Sequence, residues 1–101
     1  MQFIIKNTKK DTIYNLMRDL SYHFSGQDKK TGELNFTHPI RSNAFPRFHV
    51  FLKINGENIV FEIHLDQRAP IYKGVAAHEG EYSGELVEKE AERIKQFFLT
   101  E

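Results

Sequence analysis

Five histidines stand at positions 23, 38, 49, 64 and 78 of a 101-residue chain, and imidazole exchanges protons and binds metals in the neutral pH range. Their spacing decides what they could do. No His-x-His, no His-Glu-x-x-His pair and no cysteine accompanies them, which excludes thiolate sites and the short helical zinc motif. The densest grouping is His64 and Asp66, with Gln67 next and His78, Glu79 and Glu81 further on. Residues two apart on a strand share a face, and a connection folding back would bring His78 to the same place. Two imidazoles and a carboxylate could hold a divalent metal, or act as base and acid without one, as in a hydrolase. The plainer reading is that Asp66 opens a turn and His78 meets water. A second grouping is Arg47 and His49, donors that suit a phosphate or carboxylate, with Phe51 offering a ring for stacking. Its plainer reading is a ladder of cross-strand pairs, each worth about a few tenths of a kcal/mol. Gly74, Gly80 and Gly84 are not spaced as a phosphate-cradling loop, and neither Ser42 nor Ser83 has a nucleophile-elbow context.

The elements that must position these groups begin with residues 48–65, two alternating runs joined at Asn55-Gly56. An Asn-Gly dipeptide accepts the positive φ angles of a two-residue hairpin turn. Pairing Ile54 with Glu57 then sets Leu52 opposite Ile59, Val50 opposite Phe61 and Phe48 opposite Ile63, an all-apolar face. The other face carries Arg47 opposite His64, His49 opposite Glu62 and Phe51 opposite Val60.

Phe3-Ile4-Ile5 reads as a first strand. Asp11 or Thr8 can cap a helix whose apolar residues Ile13, Leu16, Met17, Leu20 and Phe24 recur at helical spacing, ending at Ser25-Gly26. Residues 34–38 alternate as the strand before Pro39. Residues 65–82 form a long connection with anchors at Ile71, Tyr72, Val75 and Tyr82, expected to be ordered above a concavity lined by His64, Asp66 or His78. Ser83 can cap a last helix with Val87, Ala91, Ile94 and Phe98 in one stripe and Glu88, Glu92, Arg93 and Lys95 away from it. The order β-α-β-β-β-α predicts an α+β two-layer sandwich, an antiparallel sheet with two helices on one face. The opposite face is left open, with Asn35, Thr37, Arg47, His49, Phe51, Val60, Glu62 and His64 on it.

The length fits a single domain over 1–101. No apolar run approaches the roughly 20 residues of a membrane span, and the short apolar block at residues 3–5 is no secretory leader, so the expected address is cytoplasmic and no membrane partner is expected. Net charge is zero, but residues 1–53 hold nine basic and four acidic residues, leaving +5, and residues 54–101 carry −5. A basic binding half, internal complementarity and association between copies all fit this division.

The order from residue 11 to 99 is similar in topology to double-stranded RNA-binding domains and to small toxins of the HicA type. The acidic start of the last helix, Ser83-Gly84-Glu85-Leu86-Val87-Glu88, would repel phosphates, and the toxins' Gly-Ser-His signature is absent, so neither activity carries over. The segments His64-Leu65-Asp66-Gln67, His78-Glu79-Gly80-Glu81-Tyr82 and Glu88-Lys89-Glu90-Ala91 resemble a family of small uncharacterised proteins of uncultured bacteria, which implies a free-standing domain and no particular activity. The reading that results is a binding module using the open sheet face and the 65–82 connection, with Arg47, His49, His64, Asp66, Gln67 and His78 as candidate binding residues. A metal-dependent or histidine-based hydrolase and a nucleic-acid module are the rivals. The catalytic residues, metal and cofactor stay unknown. The partner is a ligand or protein, nucleic acid being disfavoured, and the open face would also suit a homodimer.

Overall fold

In a computed structural model describing residues 1–40, 45–67 and 79–100, the chain runs β1 (Gln2–Lys6), α1 (Ile13–Asp19), β2 (His23–Gln27), β3 (Leu34–Pro39), β4 (Arg47–Asn55), β5 (Asn58–Asp66) and α2 (Glu79–Leu99). The five strands make one antiparallel sheet in the order β1-β5-β4-β3-β2. This is an α+β fold in which both helices share one core with the sheet. Leu16 and Met17 of α1 and Val87, Ala91, Ile94 and Phe98 of α2 are buried with Phe36, Val50, Leu52, Ile59, Phe61 and Ile63. No described helix is long and apolar enough to cross a membrane.

The face assignment of the central hairpin is as expected, but its register is not. Asn55 pairs with Asn58, leaving Gly56 and Glu57 as the loop, and Gly56 alone takes a positive φ, 63°. That is the glycine-first arrangement of a type II′ turn, not one with both Asn55 and Gly56 at positive φ. Every partner therefore moves by two residues, which keeps each side chain on its face. Ile54 faces Ile59, Leu52 faces Phe61, Val50 faces Ile63 and Phe48 faces Leu65. The observed register matches apolar with apolar along the core face of the hairpin and sets Arg47 against Asp66 rather than His64.

A strand takes the place expected of the first helix's last turns. Thr12, not Asp11 or Thr8, caps α1, its Oγ1 accepting from the Asn15 N–H at 3.2 Å, and Asp11 supports the cap by accepting from Thr12 N and Asn15 Nδ2. These bonds hold the exposed Asp11 carboxyl below its usual range. At the other end Ser21 adopts φ 74°, its N–H bonds to Arg18 O, and Tyr22 N–H bonds to Met17 O. This is a Schellman ending with serine where glycine is usual. The chain then leaves as β2, so Phe24, expected on the helix stripe, pairs with Phe36 on the sheet and stays half exposed beside Tyr14. α2 begins at Glu79, so Ser83, Glu79 and Glu81 lie within it and Ser83 is no cap. The expected anchors Ile71, Tyr72 and Val75 of the long connection, and its order, fall outside the described residues.

Among the described residues one charged group, Glu90, enters the core, where it is 5% exposed. It accepts from Tyr22 Oη at 2.6 Å and from Arg93 Nε and Nη2 at 2.7 and 2.8 Å, while Arg93 Nη2 also donates to Leu20 O at 2.7 Å. Charge-assisted bonds to both carboxylate oxygens satisfy the buried group, and the guanidinium closes a carbonyl at the end of α1. The Glu90 bonds hold the Arg93 guanidinium protonated above its usual range. Burial, and then the charge of Glu90, push the Tyr22 hydroxyl well above its ordinary value.

Two outcomes test this architecture. Phe61→Ser removes a fully buried ring that stacks on Phe3 and meets Phe98, so it should destabilise by about 3–5 kcal/mol, whereas Glu62→Ser on the open face should change the thermal midpoint little; equal melts would contradict the face assignment. Because the folded Tyr22 keeps its proton where an unfolded tyrosine loses it, stability should fall as pH rises above about 10, by about 1.4 kcal/mol per pH unit from this group alone. Tyr22→Phe should be less stable at neutral pH, with one donor to Glu90 missing, and its deficit should shrink in alkali. Chemical denaturation of both proteins at pH 7 and pH 11 reads the difference.

Candidate functional site

Two-residue alternation on β3, β4 and β5 brings a connected set of polar side chains to the face that no described helix covers. Arg47 and Asp66 are direct cross-strand partners, and so are His49 and His64. Arg47 Nε donates to Asp66 Oδ2 across 3.4 Å, and His49 Nδ1 meets the same oxygen at 2.9 Å. On its other side His49 Nε2 lies 3.2 Å from Asn35 Oδ1, while Asn35 Nδ2 donates to Gly26 O at 3.5 Å. Asp66 and Asn35 thus grip the imidazole from both ends. Asp66 is shared, but it is closer to the imidazole, and the contact to Arg47 is long for a charge-assisted bond.

Aromatic contacts complete the arrangement. The His49 and Phe51 rings stack with centroids 4.2 Å apart and planes 23° from parallel, and His64 meets Phe51 edge-on at 5.6 Å. The Arg47 guanidinium lies 4.5 Å over the Phe45 ring, a cation–π contact. The His64–His49 row continues to Thr37 and then His23 on the neighbouring strands. His49 is about one-fifth exposed, Arg47 and Asp66 about one-third. These groups are partly buried.

Of the residues singled out in the sequence, Arg47, His49 and Asp66 come together, and His64 stands beside them. The expected pairings of Arg47 with His64 and of His49 with Glu62 are replaced by Arg47 with Asp66 and His49 with His64, because the loop is Gly56-Glu57. His64 and Asp66 do share a face, but no hydrogen bond or ion pair joins them among the described residues. Gln67 follows directly as the partly buried residue after β5, and His78 lies outside the described residues. His64 also lines a cleft of about 410 Å³ with Ile63, Leu65, Val87 and Glu88. Among the described residues, no group of three or more His, Asp or Glu side chains is arranged to hold a metal ion.

Asn35 is the participant that sequence reasoning placed on this face without giving it a role. Its alternation on β3 was the available signal; its reach to His49 depends on the β3–β4 register, in which Asn35 faces Phe51. Compared with protein-family models, curated proteins and solved structures, the chain gives no match.

Asp66→Asn tests the site's organisation. Pairs that keep about a fifth to a third of their side-chain surface in solvent contribute about 1 kcal/mol, so the thermal midpoint should move by only a few degrees. The ¹⁵N signals of the His49 ring should nevertheless change, because Nδ1 loses its carboxylate acceptor; an unchanged ring spectrum would show that Asp66 does not orient His49.

Proposed function

We propose that the protein is a binding module whose open sheet face takes a ligand carrying an anionic group beside a flat ring. The observation that supports this most directly is the His49–Phe51 stack, fixed from both sides by Asp66 and Asn35 and flanked by Arg47. A stacked pair held by hydrogen bonds gives an incoming ring a platform already in place, so little side-chain freedom is lost on binding. Arg47 supplies the anion contact. Guanidinium suits carboxylate and phosphate geometry, and its long contact to Asp66 leaves less to give up in turning toward a ligand than a short bidentate pair would. The reading includes the connection expected over 65–82, of which the structure gives Leu65 and Asp66 to β5 and residues 79–82 to α2.

The hydrolase reading draws less support. It rests on His64, Asp66 and His78: His78 lies outside the described residues, and Asp66 contacts Arg47 and His49 while no hydrogen bond joins it to His64 among the described residues, so no base–carboxylate pair supports it.

Phenyl phosphate combines the two features, and inorganic phosphate carries only one. Titrating each into the protein while following the ring signals of His49, Phe51 and His64 should give saturable shifts with phenyl phosphate and smaller ones with phosphate. Arg47→Ala should weaken the response at least tenfold, the loss of about 1.4 kcal/mol or more expected for a charged hydrogen bond. No shift with either compound would overturn the reading.

A further inference from the structure

Among the described residues the sheet ends on β1 and β2, and the two edges are built differently. β2 is interrupted by a bulge between Phe24 and Gly26, with Gly26 at φ 135°; bulges are among the devices that keep an edge from pairing with another chain. β1 lacks that device. Its residues Gln2–Lys6 include no proline or glycine and run in unbroken register against β5, and only Lys6 brings a charge.

The direction of its unused backbone groups follows from its neighbours. Met1 exchanges both backbone bonds with Ile63, at 3.1 and 2.8 Å, and Asn7 N donates to Glu57 O at 2.7 Å. The alternation of an antiparallel ladder then turns Phe3 and Ile5 inward to β5, and the N–H and C=O groups of Gln2, Ile4 and Lys6 outward. The Ile4 side chain is 65% exposed and stands next to Val60 on the open face.

We infer that β1 pairs antiparallel with β1 of a second copy, about a two-fold axis through Ile4, joining the two sheets into one. The strand is complementary to itself. Ile4 falls opposite Ile4 of the second copy, and Gln2 falls opposite its Lys6, each pair exchanging both backbone bonds. The apolar contact of the isoleucines lies at the centre, widened by Val60 from each copy, and no like charges oppose each other at the ends. This association uses the sheet's edge and leaves the open face, with Arg47 and His49, uncovered. It is independent of what that face binds.

Light scattering coupled to size exclusion should give twice the chain mass for the protein as concentration rises. Ile4→Lys sets two ammonium groups on the axis. Ile4→Pro removes only an outward N–H, because Ile4 makes no ladder bond to β5 and proline is tolerated on such an edge. Both variants should shift to the mass of one chain with an unchanged far-ultraviolet spectrum. In the unaltered protein the Gln2, Ile4 and Lys6 amides should exchange slowly in the associated state and quickly on dilution. A protein that stays at the mass of one chain at every concentration overturns the inference. Fast exchange at Ile4 would then mean an open edge, and slow exchange an edge covered by another part of the same chain. If either variant fails to fold, the mass and exchange of the unaltered protein decide alone.

Discussion

The two-residue period of β4 and β5 divides the molecule into a dry side and a working side. Phe48, Val50, Leu52, Ile59, Phe61 and Ile63 are buried together, and between them on the same strands Arg47, His49, Phe51, Glu62, His64 and Asp66 project the other way. A pleat cannot move one set without moving the other. The cross-strand contacts of the open face are therefore fixed by the packing of the core beneath them. Burying six large apolar side chains contributes far more than any pair on the open face, so the core sets the register and the polar groups accept the neighbours it gives them. Arg47 meets Asp66 because Val50 meets Ile63.

The same sheet needs its helices held at a defined height, which apolar packing alone specifies loosely. Glu90 supplies the fixed point. Its carboxylate reaches Tyr22 just after α1 and Arg93 on its own helix, and Arg93 in turn reaches Leu20 O. Sliding α2 along the sheet would strand a buried charge, a penalty of several kcal/mol. Every member is satisfied, and among the described residues no buried side-chain nitrogen or oxygen lacks a partner. The network lies on the core side, and the site lies on the opposite face of the sheet.

These features differ in how legible they are in the sequence. The burial of Val87, Ala91, Ile94 and Phe98 and the two faces of the hairpin follow from period alone. The hairpin register does not, because a positive φ at Gly56 serves either a turn centred on Asn55-Gly56 or one centred on Gly56-Glu57, and both keep the apolar face intact. The end of α1 was hidden by Ser21, which takes a conformation usually signalled by glycine, and by Phe24, whose spacing from Leu20 suits a helix although its ring packs from a strand. Glu90 stands three residues after Val87 and four before Ile94, at the margin of the apolar stripe and unlike Glu88 and Glu92, but its full burial depends on Tyr22, a partner no local pattern reveals. In the candidate site, the residue types and their common face were readable, whereas the contacts among them depended on the two-residue shift.

The arrangement around His49 also bears on which chemistry the open face can support. Polar contacts at both ends of the imidazole orient the ring and the Phe51 ring stacked on it, and this favours recognition by shape. They also occupy the nitrogens through which a histidine would move a proton. His64 differs: it is exposed, meets Phe51 only by its edge, and has no hydrogen bond among the described residues. Beside the ring platform, His64 is the histidine left for acid–base chemistry among the described residues, with Asp66 already committed to Arg47 and His49. Among the described residues His49 is thus in contact at both ring nitrogens and His64 has no carboxylate partner, an arrangement that favours the proposed binding role over the hydrolase reading.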